Sequence, residues 1–532
     1  MNSPSEYLLY RRQFILGTRL CRPTAHWRHL QLDGGLVLSF HPDLNVERVA
    51  EGDRSLVLLG YILDPFNPEF TDRDILEELL TVPDFALFLN RLSPYGGRWI
   101  VLWIDGTDTI LVHDPLGSRE VYYAWHAGHC WCASQPHVLA QSLGLSKRCD
   151  TALTGFMQSE MFRDSERAWV GSHTPYEGVD HLLPNHYLDI IDGAVWRYWP
   201  GTPRHAAARE KVVPQVCRIL QGILEAASHR FELALAVSAG WDSRVLLAAS
   251  RAVSDRITYF IQQFGKMTDE HLDIRTPRRL MNHLNRSFTV SRVKGAVNPT
   301  FEKLFEASAA MYHSEEKKRL HYNFFTQMSE KVFVNGMTGC RSSFVSRNGA
   351  GKTDMVQEFI NKSVANPFSV RASKSYAADE AWITAELQEW YEEIVPVVDG
   401  TGYDAMDLLY CEQRQGNWGA MYCSSGDIAG EILLPYSCRL LQELVLSVDE
   451  KYRCDPHYTV FRNMATHMWP ATLQQPVNGI PVRTVRRAYY DLKSLRTKNS
   501  LRRMAGHVVA HTPSPLLAAY RKMKNGWKNS VT

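Results

Sequence analysis

The chain lacks the long apolar runs of a membrane protein, since no stretch approaches the roughly 20 uncharged residues that a spanning helix needs. It also lacks a dominant charge: 59 lysines and arginines face 57 aspartates and glutamates, for a formal net charge of +2. This balance gives no indication of a nucleic-acid partner. The first residues, MNSPSEYLLYRRQF, lack a signal-peptide core, so we expect a cytoplasmic protein without a membrane span.

Cysteine is present, but its spacing matches no metal site and no disulfide framework. The ten cysteines are scattered along the chain, which favours reduced thiols in a cytoplasm. Only Cys130 and Cys132 lie close together, in a stretch with the pattern of a strand. Residues two apart on a strand point to the same face, so we interpret this pair as core residues rather than ligands.

The length of 532 residues is too great for one hydrophobic core and predicts two domains. From about residue 36 to residue 191, short apolar runs alternate with turn residues, which is typical of antiparallel strands. Helices are expected over 72–80 and near 136–143, and Asp105-Gly106 between alternating runs predicts a hairpin. Together these elements indicate a layered α+β domain.

The most informative stretch is LALAVSAGWDSRVLLAAS, at residues 233–250. Its first five residues predict a buried parallel strand, and the apolar run 245–249 predicts a helix. Between them come Ser238, Ala239 and Gly240, which are small enough for a ligand to approach the backbone, and then Asp242 and Ser243. Free N–H groups and the positive end of a helix dipole meet here, which predicts an anion site.

The same stretch excludes one kind of phosphate loop and permits a metal ion. A Walker A loop needs a Gly-Lys-Ser/Thr ending, which is absent. The carboxylate of Asp242 could hold Mg²⁺ against phosphates.

The rest of the second half alternates strands with helices, which predicts a parallel α/β sheet. A short linker at 200–204 precedes an expected helix over 206–228. Strands are expected at 257–260 and 332–334, with a helix over 269–284 following the first of them. Residues 407–425 predict an amphipathic helix followed by a polar turn.

These motifs carry a resemblance to known families. The loop SAGWDS resembles the SGGxDS pyrophosphate-binding loop of the N-type ATP pyrophosphatases, with Ala239 in place of the second glycine. Four patches resemble, in chain order, the glutaminase domain of the asparagine synthetase family: YGGRW at 95–99, HDPLG at 113–117, TPYEGVDHLLPNH at 174–186 and WRYW at 196–199.

The resemblance implies the fold class of both domains. It implies an α+β N-terminal Ntn-like (αββα) domain over residues 1–199. An α/β parallel-sheet ATP pyrophosphatase domain, of the adenine nucleotide α-hydrolase-like kind, follows over 206–492. Residues 493–532 form a basic tail, for which a solvated end is the first interpretation.

The resemblance also implies a set of pyrophosphate-binding residues: Ser238, Ala239, Gly240, Trp241, Asp242, Ser243, Gly336 and Gly339. Backbone groups of the strand around Tyr259 and Ile261 would bind adenine, and Asp242 would also hold Mg²⁺.

Three further charged residues have two interpretations each. Arg462, together with Asp242, is expected to be catalytic, and Arg414 is a second cationic candidate for contacting phosphate or an acyl-adenylate. Surface ion pairing is an equally good interpretation of both arginines. Asp273 stands where the resembled family has an acidic residue, and we interpret it as a helix-terminal charge in preference to a ligand.

Departures from the family pattern bear on activity. The family's N-terminal nucleophile is a cysteine after the initiator Met, whose own α-amine serves as base, whereas Asn2 stands here and the first thiol is Cys21. Leu59 replaces a residue that reads the substrate amide, so we expect glutaminase activity to be lost. Cys340 and Arg341 replace the acidic residues that help to bind magnesium pyrophosphate, which leaves activity of the ATP site open.

Three functions therefore stay open. The first is an ATP-dependent, AMP-forming amide ligase acting on small-molecule carboxylate and amine substrates, in an arrangement like that of the β-lactam synthetases. The second is a glutamine-hydrolysing asparagine synthase, against which Asn2 argues. The third is a nucleotide-binding pseudoenzyme or scaffold. Oligomeric state is open as well, with a homodimer as one alternative.

Overall fold

The computed structural model describes residues 4–164, 166–293, 295–309, 311, 314–337, 381–454, 458–480 and 482. Within these residues the strands, in chain order, are β1 (Phe14–Gly17), β2 (Arg28–Gln31), β3 (Val37–Phe40), β4 (Val46–Glu51), β5 (Arg54–Leu63), β6 (Gly96–Asp105), β7 (Asp108–His113), β8 (Tyr122–His126), β9 (His129–Ala133), β10 (Asp180–His181), β11 (His186–Asp189), β12 (Val195–Arg197), β13 (Leu233–Ala236), β14 (Ile257–Gln263), β15 (Thr289–Arg292), β16 (Val332–Val334) and β17 (Ile432–Leu433).

The α-helices of the same residues are α1 (Pro4–Tyr7), α2 (Asp72–Leu80), α3 (Phe85–Leu92), α4 (Pro136–Leu143), α5 (Thr151–Gln158), α6 (Glu160–Asp164), α7 (Arg209–Arg230), α8 (Trp241–Ala249), α9 (Leu272–His283), α10 (Pro299–Ser308), α11 (Glu315–Met328), α12 (Ala381–Thr401), α13 (Ala405–Leu409), α14 (Ala420–Gly426), α15 (Arg439–Ser447) and α16 (Thr459–Met468). A π-helical segment, Tyr410–Gly419, joins α13 to α14. Short 3₁₀ segments are Asp33–Gly35, Ser250–Arg256, Glu450–Tyr452 and Pro470–Gln474.

The first half of the chain forms two antiparallel six-stranded sheets, ordered β10-β8-β9-β1-β3-β2 and β12-β11-β7-β6-β5-β4. Their facing sides share one apolar core, in which Leu38 of the first sheet and Leu102 of the second are buried. Helices α2 and α3 cover the outer face of the second sheet, and α4 covers the outer face of the first. The result is four layers, helix-sheet-sheet-helix, as expected from the sequence.

Local sequence explains the helices and turns of this half. The predicted helix over 72–80 is confirmed, and it begins with a capping box between Thr71 and Asp74. The helix over 136–143 is also confirmed, and so is the hairpin, in which Asp105 pairs with Asp108 around Gly106 at φ 59°. Cys130 and Cys132 lie in the core, as interpreted.

The predicted start of the strands near residue 36 is wrong. Strand β1 begins at Phe14, and β2 begins at Arg28. Strand β1 has only four residues, and it becomes a strand because it inserts between β9 and β3. Three residues of β2 are exposed, and the strand lies at the sheet edge, so its sequence carries no apolar alternation.

The second half forms a parallel five-stranded sheet ordered β15-β14-β13-β16-β17. Strand β13 lies at the centre, and Leu233, Ala234 and Leu235 are buried, as expected where both faces of a parallel sheet are covered. Strand β16 has the predicted bounds, whereas β14 runs three residues beyond its predicted end. Helix α7 begins at Arg209 and ends at Arg230, and α9 is four residues shorter than expected, with bounds of Leu272 and His283.

The helix expected within residues 407–425 is present, but the polar end of this segment is not yet the turn, which follows at 427–429. Helix α14 continues through Gly426. Its polar residues are buried with partners instead of exposed. Ser424 Oγ donates to the Glu120 carboxylate, and Ser425 Oγ lies 3.4 Å from His321 Nε2. The polar residues at the end of this segment are therefore buried with hydrogen-bond partners, one of which, Glu120, belongs to the first half of the chain.

Buried ion pairs join the antiparallel sheets to the parallel-sheet half. Arg98 of β6 donates to both carboxylate oxygens of Asp427 and also to Glu431 Oε1 at 2.8 Å. Arg119 Nη2 lies 2.9 Å from the same Glu431 oxygen. These contacts fix the two halves against each other through side chains that are largely out of water. Among the residues that the structure describes, no helix combines the length and apolarity needed to cross a bilayer.

Candidate functional site

The predicted anion loop lies at the carboxyl edge of the parallel sheet, directly after its central strand. Strand β13 ends at Ala236, and helix α8 begins at Trp241 with Gly240 as its N-cap. Open α/β sheets bind ligands at this edge, where helix N-termini present unpaired N–H groups. The structure therefore places residues 238–243 at the sheet edge where α/β folds bind ligands.

Hydrogen bonds within the loop are centred on two hydroxyls. Ser243 Oγ accepts from the backbone N–H of Ser238 at 3.0 Å and lies 2.9 Å from Ser238 Oγ. Ser238 Oγ in turn accepts from the Gly240 N–H at 3.2 Å. Both serine hydroxyls hold the loop in shape, and the first turn of α8, which begins at Trp241, points its N–H groups toward the same edge.

Asp273 reaches the loop from helix α9. It lies in the first turn of that helix, as interpreted from the sequence, and its Oδ1 accepts from the Ala239 N–H at 2.8 Å. A carboxylate thus occupies one of the loop N–H groups that the sequence assigns to pyrophosphate. Sequence reasoning missed this contact, because nothing local links residues 34 positions apart.

Gly336 lies close to the loop, since β16 neighbours β13 in the sheet. A Cβ atom at Gly336 would lie 3.3 Å from the Ser243 backbone nitrogen and 3.3 Å from Asp242 Cβ. A side chain would therefore crowd the first turn of α8, and glycine leaves that surface open. Gly339, Cys340 and Arg341 lie outside the described residues.

A turn near the end of the described chain covers one side of the loop. Asn478 donates its backbone N–H to the Ala239 carbonyl at 2.9 Å. The buried guanidinium of Arg244 holds the preceding segment by donating to the carbonyls of Thr472, Gln475 and Pro476. Burial lowers the pKa of Arg244 to about 10. Arg244 follows the recognised loop by one residue, but its role was not apparent from sequence.

Further side chains lie close to the first turn of helix α8. Tyr436 donates its hydroxyl to the Asp242 carbonyl at 3.2 Å. Trp241 is buried, with its ring 6.2 Å from that of Tyr458, the N-cap residue of α16. Arg462 lies half-buried in α16, one turn beyond Tyr458.

Tyr259 and Ile261 both lie on β14, beside the loop strand. The Tyr259 hydroxyl lies 2.8 Å from Ser250 Oγ in the core, so its ring points away from a ligand at the sheet edge. Burial raises the pKa of Tyr259 to about 12. Ile261 is half-buried and pairs with Val290 on the far side, one position beyond the last residue pair between β14 and β13. Any contact of Tyr259 with a nucleotide would use its backbone.

Arg414 lies in the π-helical segment, with its guanidinium 4.0 Å from the centre of the Trp418 ring. Burial lowers the pKa of Arg414 to about 10. Surface ion pairing is one of the two interpretations of Arg414. It does not fit, because the guanidinium stacks on Trp418 and is largely buried.

Two cavities lie in different parts of the structure, one beside the turn that covers the loop and one between the two halves of the chain. One, of about 570 Å³, is lined by residues that include Pro470, Gln474 and Pro476, beside the segment that Arg244 holds. The other, of about 280 Å³, is lined by residues of α5, α6 and the following segment and by two methionines of the second half: Met157, Phe162, Arg163, Arg167, Trp169, Met311 and Met421. Its lining combines apolar and aromatic surface with two guanidinium groups.

Residues at the positions where the resembled family binds and hydrolyses glutamine make structural contacts here. Leu59 is buried in the core between the two antiparallel sheets, and Asp64 accepts backbone N–H groups from Phe66 and Asn67. Asn2 lies outside the described residues. The residues just before β1 are held in place, since Gln13 Nε2 donates to the Ser308 carbonyl at 2.6 Å.

No protein-family model matches the chain, and no curated protein matches it. Among solved structures, glutamine phosphoribosylpyrophosphate (PRPP) amidotransferase from B. subtilis, complexed with ADP and GMP, is 12% identical with a TM-score of 0.23, covering 62% of this chain and 70% of that chain. NMN synthetase from Francisella tularensis is 17% identical with a TM-score of 0.19, covering 38% and 92%. A structure titled the allosteric regulatory enzyme of purine biosynthesis is 12% identical with a TM-score of 0.23, covering 64% and 72%. Structural similarity at these TM-scores gives no information about the function of this chain.

Proposed function

We propose that this chain is an ATP-dependent, AMP-forming amide ligase of the asparagine synthetase-like kind. A substrate carboxylate attacks the α-phosphorus of ATP, pyrophosphate leaves, and an acyl-adenylate remains. An amine then attacks the acyl carbon, which forms the amide and releases AMP. The observation that carries the proposal is the loop 238–243 at the carboxyl edge of the parallel sheet, with the start of α8 directly behind it.

The first turn of α8 supports the pyrophosphate-releasing step. Negative charge grows on the leaving pyrophosphate, and N–H groups at a helix N-terminus stabilise such charge without having to reorganise. Gly336 keeps this turn accessible from the neighbouring strand. Catalysis of this step would consist of positioning and electrostatic stabilisation.

The donor set fits a magnesium ion that is bound together with the nucleotide. Mg²⁺ typically takes one or two protein carboxylates and completes its shell with phosphate oxygens and water. Asp242, half-buried in the first turn of α8, offers one carboxylate at this place. The ion would neutralise phosphate charge, while Asp242 holds it beside the loop.

The 280 Å³ cavity supports an apolar acid as the carboxylate substrate. Arg163 and Arg167 suit a carboxylate, and the methionines and Trp169 suit an aliphatic or aromatic body. A series of contacts links the cavity lining to the carboxyl end of β14. Next to Arg167 in the chain, Glu166 contacts Lys317 at 3.6 Å, and Lys317 lies 5.9 Å from the ring of Phe264, which follows β14.

The glutamine-hydrolysing alternative has little support in the first half. An N-terminal nucleophile that uses its own α-amine as base must stand at a chain end. Here β1 is preceded by residues that are bound to the second half, including Arg12, which donates to the Asp427 carbonyl at 2.6 Å. Leu59 also offers no hydrogen bond to a substrate amide.

The pseudoenzyme alternative is favoured by one observation, the bond from the Ala239 N–H to Asp273. A carboxylate in that position competes with phosphate for the loop. This alternative predicts nucleotide binding without turnover.

The test is exchange of labelled pyrophosphate into ATP, run with aliphatic and aromatic monocarboxylic acids and with aspartate. We expect exchange that depends on an added acid and that falls at least about 100-fold in Asp242→Asn. Asp255→Asn, at an exposed carboxylate, is the matched control. Nucleotide binding without exchange in any acid would favour the pseudoenzyme, and glutamate released from glutamine would favour the asparagine synthase.

A second variant tests the proposed class of carboxylate substrate. Arg167→Gln should raise the KM for the acid and leave the KM for ATP unchanged, because Arg167 lines the cavity and not the loop 238–243. Arg91→Gln, an exposed arginine of α3, is the control. Exchange that is supported by aspartate and is insensitive to Arg167→Gln would overturn the cavity assignment and leave the ligase proposal standing.

A further inference from the structure

Helix α12 presents two carboxylates to a segment that runs toward β10. Glu386 and Glu389 are three positions apart, so they share one face of the helix. His173 lies against that face, with its Nδ1 2.8 Å from Glu386 Oε1. One ligand atom from each of these three side chains lies within 4.8 Å of the other two.

A third carboxylate, that of Asp180, lies on the segment beside the cluster. Asp180 pairs with His173 through an isolated antiparallel bridge, which puts the two residues opposite each other. Arg148 lies 3.3 Å from Asp180, and both side chains are partly exposed. The cluster itself therefore comprises one imidazole and two carboxylates from two parts of the chain that are more than 200 residues apart, with the Asp180–Arg148 ion pair beside it.

The backbone is shaped around the Glu386 carboxylate. Gly171 has φ 75°, and a Cβ atom there would lie only 1.7 Å from Glu386 Oε2. Any other residue would therefore displace this carboxylate from its position. Glu386 is 8% exposed, and a carboxylate so far from water requires a nearby positive charge.

Another carboxylate of α12, that of Glu393, is neutralised by a permanently charged side chain. Glu393 contacts His186 at 3.1 Å and also Arg197 at 2.9 Å, so a permanent cation faces it. Among the described residues, the basic side chain in contact with Glu386 is that of His173, and the nearby Arg148 is paired with Asp180. Negative charge therefore exceeds positive charge at the histidine site.

We propose that His173, Glu386 and Glu389 bind a zinc ion, with a water molecule as the fourth ligand. Imidazole and carboxylate are zinc ligands, and a tetrahedral ion at 2.0–2.1 Å separates its ligand atoms by about 3.3 Å. Small side-chain rotations convert the 2.8 Å contact between His173 and Glu386 into that spacing. The ion supplies the positive charge that the buried carboxylate requires.

The bound ion would attach the segment around Gly171–Asp180 to helix α12. This site is separate from the loop 238–243, and the inference does not depend on the proposed ligase activity. Because metal binds the folded site and not the dispersed ligands, it should stabilise the folded chain.

The experiment uses the full chain, stripped with a chelator and titrated with Zn²⁺ in competition with a chromophoric chelator. His173→Gln and Glu389→Gln are the test variants, and Glu393→Gln on the same helix is the matched control. We expect about tenfold or greater weakening of one zinc site in each test variant, no change at that site in the control, and a Zn²⁺-dependent rise of the Tm that only the test variants lose.

Substitution with Co²⁺ separates this site from zinc bound by cysteine elsewhere. We expect visible absorption without the thiolate charge-transfer bands of cysteine ligands, and loss of that absorption in His173→Gln. Because Glu389 is exposed, Glu389→Gln keeps the test informative if the histidine variant folds poorly. Equal zinc affinity in wild type and Glu389→Gln, or no retained zinc at micromolar concentrations, would overturn the proposal and leave His173 and Glu386 as a simple ion pair.

Discussion

The Asp273 carboxylate accepts a hydrogen bond from the Ala239 backbone N–H at 2.8 Å. This contact joins the start of helix α9 to the loop that follows the central strand of the parallel sheet. It holds the loop closed on the side that faces α9, and it places a negative charge beside the proposed pyrophosphate site. Charge at position 273 should therefore affect both the shape of the loop and its affinity for anions.

We expect Asp273→Asn to bind inorganic pyrophosphate more tightly than wild type in the absence of divalent cations. The amide oxygen still accepts from Ala239, while a like charge near the ligand is removed. The gain should be about 1 kcal/mol, or roughly fivefold, for a partly exposed pair. Isothermal titration calorimetry measures it, with Asp255→Asn as the control. Weaker binding would show that Asp273 assists the ligand instead of opposing it.

Ser243→Ala should destabilise the chain by about 1–3 kcal/mol, because the Ser238 N–H loses its acceptor in a mostly buried loop. Urea unfolding monitored by tryptophan fluorescence gives the difference. The control is Ser228→Ala, a hydroxyl that bonds only to the Glu225 carbonyl at the protein surface. Equal stability of the two variants would mean that the hydroxyl contacts do not hold the loop.

Arg98→Met should cost about 3–5 kcal/mol, since it leaves Asp427 buried without its bidentate partner. The double variant Arg98→Met/Asp427→Leu should recover much of this loss, because no isolated charge remains. Thermal unfolding measures both variants. Arg73→Met, which breaks an exposed pair with Glu47, should cost no more than about 1 kcal/mol. If Arg98→Met lost no more stability than Arg73→Met, the contact between Arg98 and Asp427 would not contribute substantially to stability.

Stability should depend on pH through Glu120. Burial raises its pKa to about 7, although hydroxyl donors from Ser424 and Tyr122 act in the opposite direction. Between pH 4.5 and 7 the folded carboxyl keeps a proton that the unfolded one releases, so stability falls as pH rises through this range. The full difference corresponds to about 3 kcal/mol and is reached above pH 7.

Glu120→Gln should remove this dependence, because the amide does not ionise. We expect the variant to gain stability relative to wild type as the pH is raised from 5 to 8. Urea unfolding at each pH measures the difference, and Glu225→Gln, at an exposed position, is the control. A constant difference across the range would show that Glu120 does not titrate within it.

The sequence predicted elements whose signals are local. Strand β16 has the bounds expected from its apolar run, and α2 begins at the capping box that its first residues encode. The order of strand, small-residue loop and helix around Ser238 also follows from adjacent residues. Each of these depends on contacts within a few positions, which a single sequence shows directly.

Elements stabilised by distant partners were not predictable in this way. Strand β1 exists because β3 and β9 flank it, and β15 is a largely exposed edge strand of four residues. The polar end of the 407–425 segment is helical because Glu120 lies against it. In each case the deciding partner is far away in sequence.

By itself the sequence determined that a small-residue loop follows a buried strand and precedes a helix, because apolar periodicity and residue size are local properties. Only the tertiary structure decided what surrounds that loop. The carboxylate of Asp273 on Ala239, the Asn478 turn across it and Gly336 beside it come from three separate parts of the chain. They meet because parallel strands bring their carboxyl ends to one edge, where contacts between distant residues determine which backbone groups a ligand can reach.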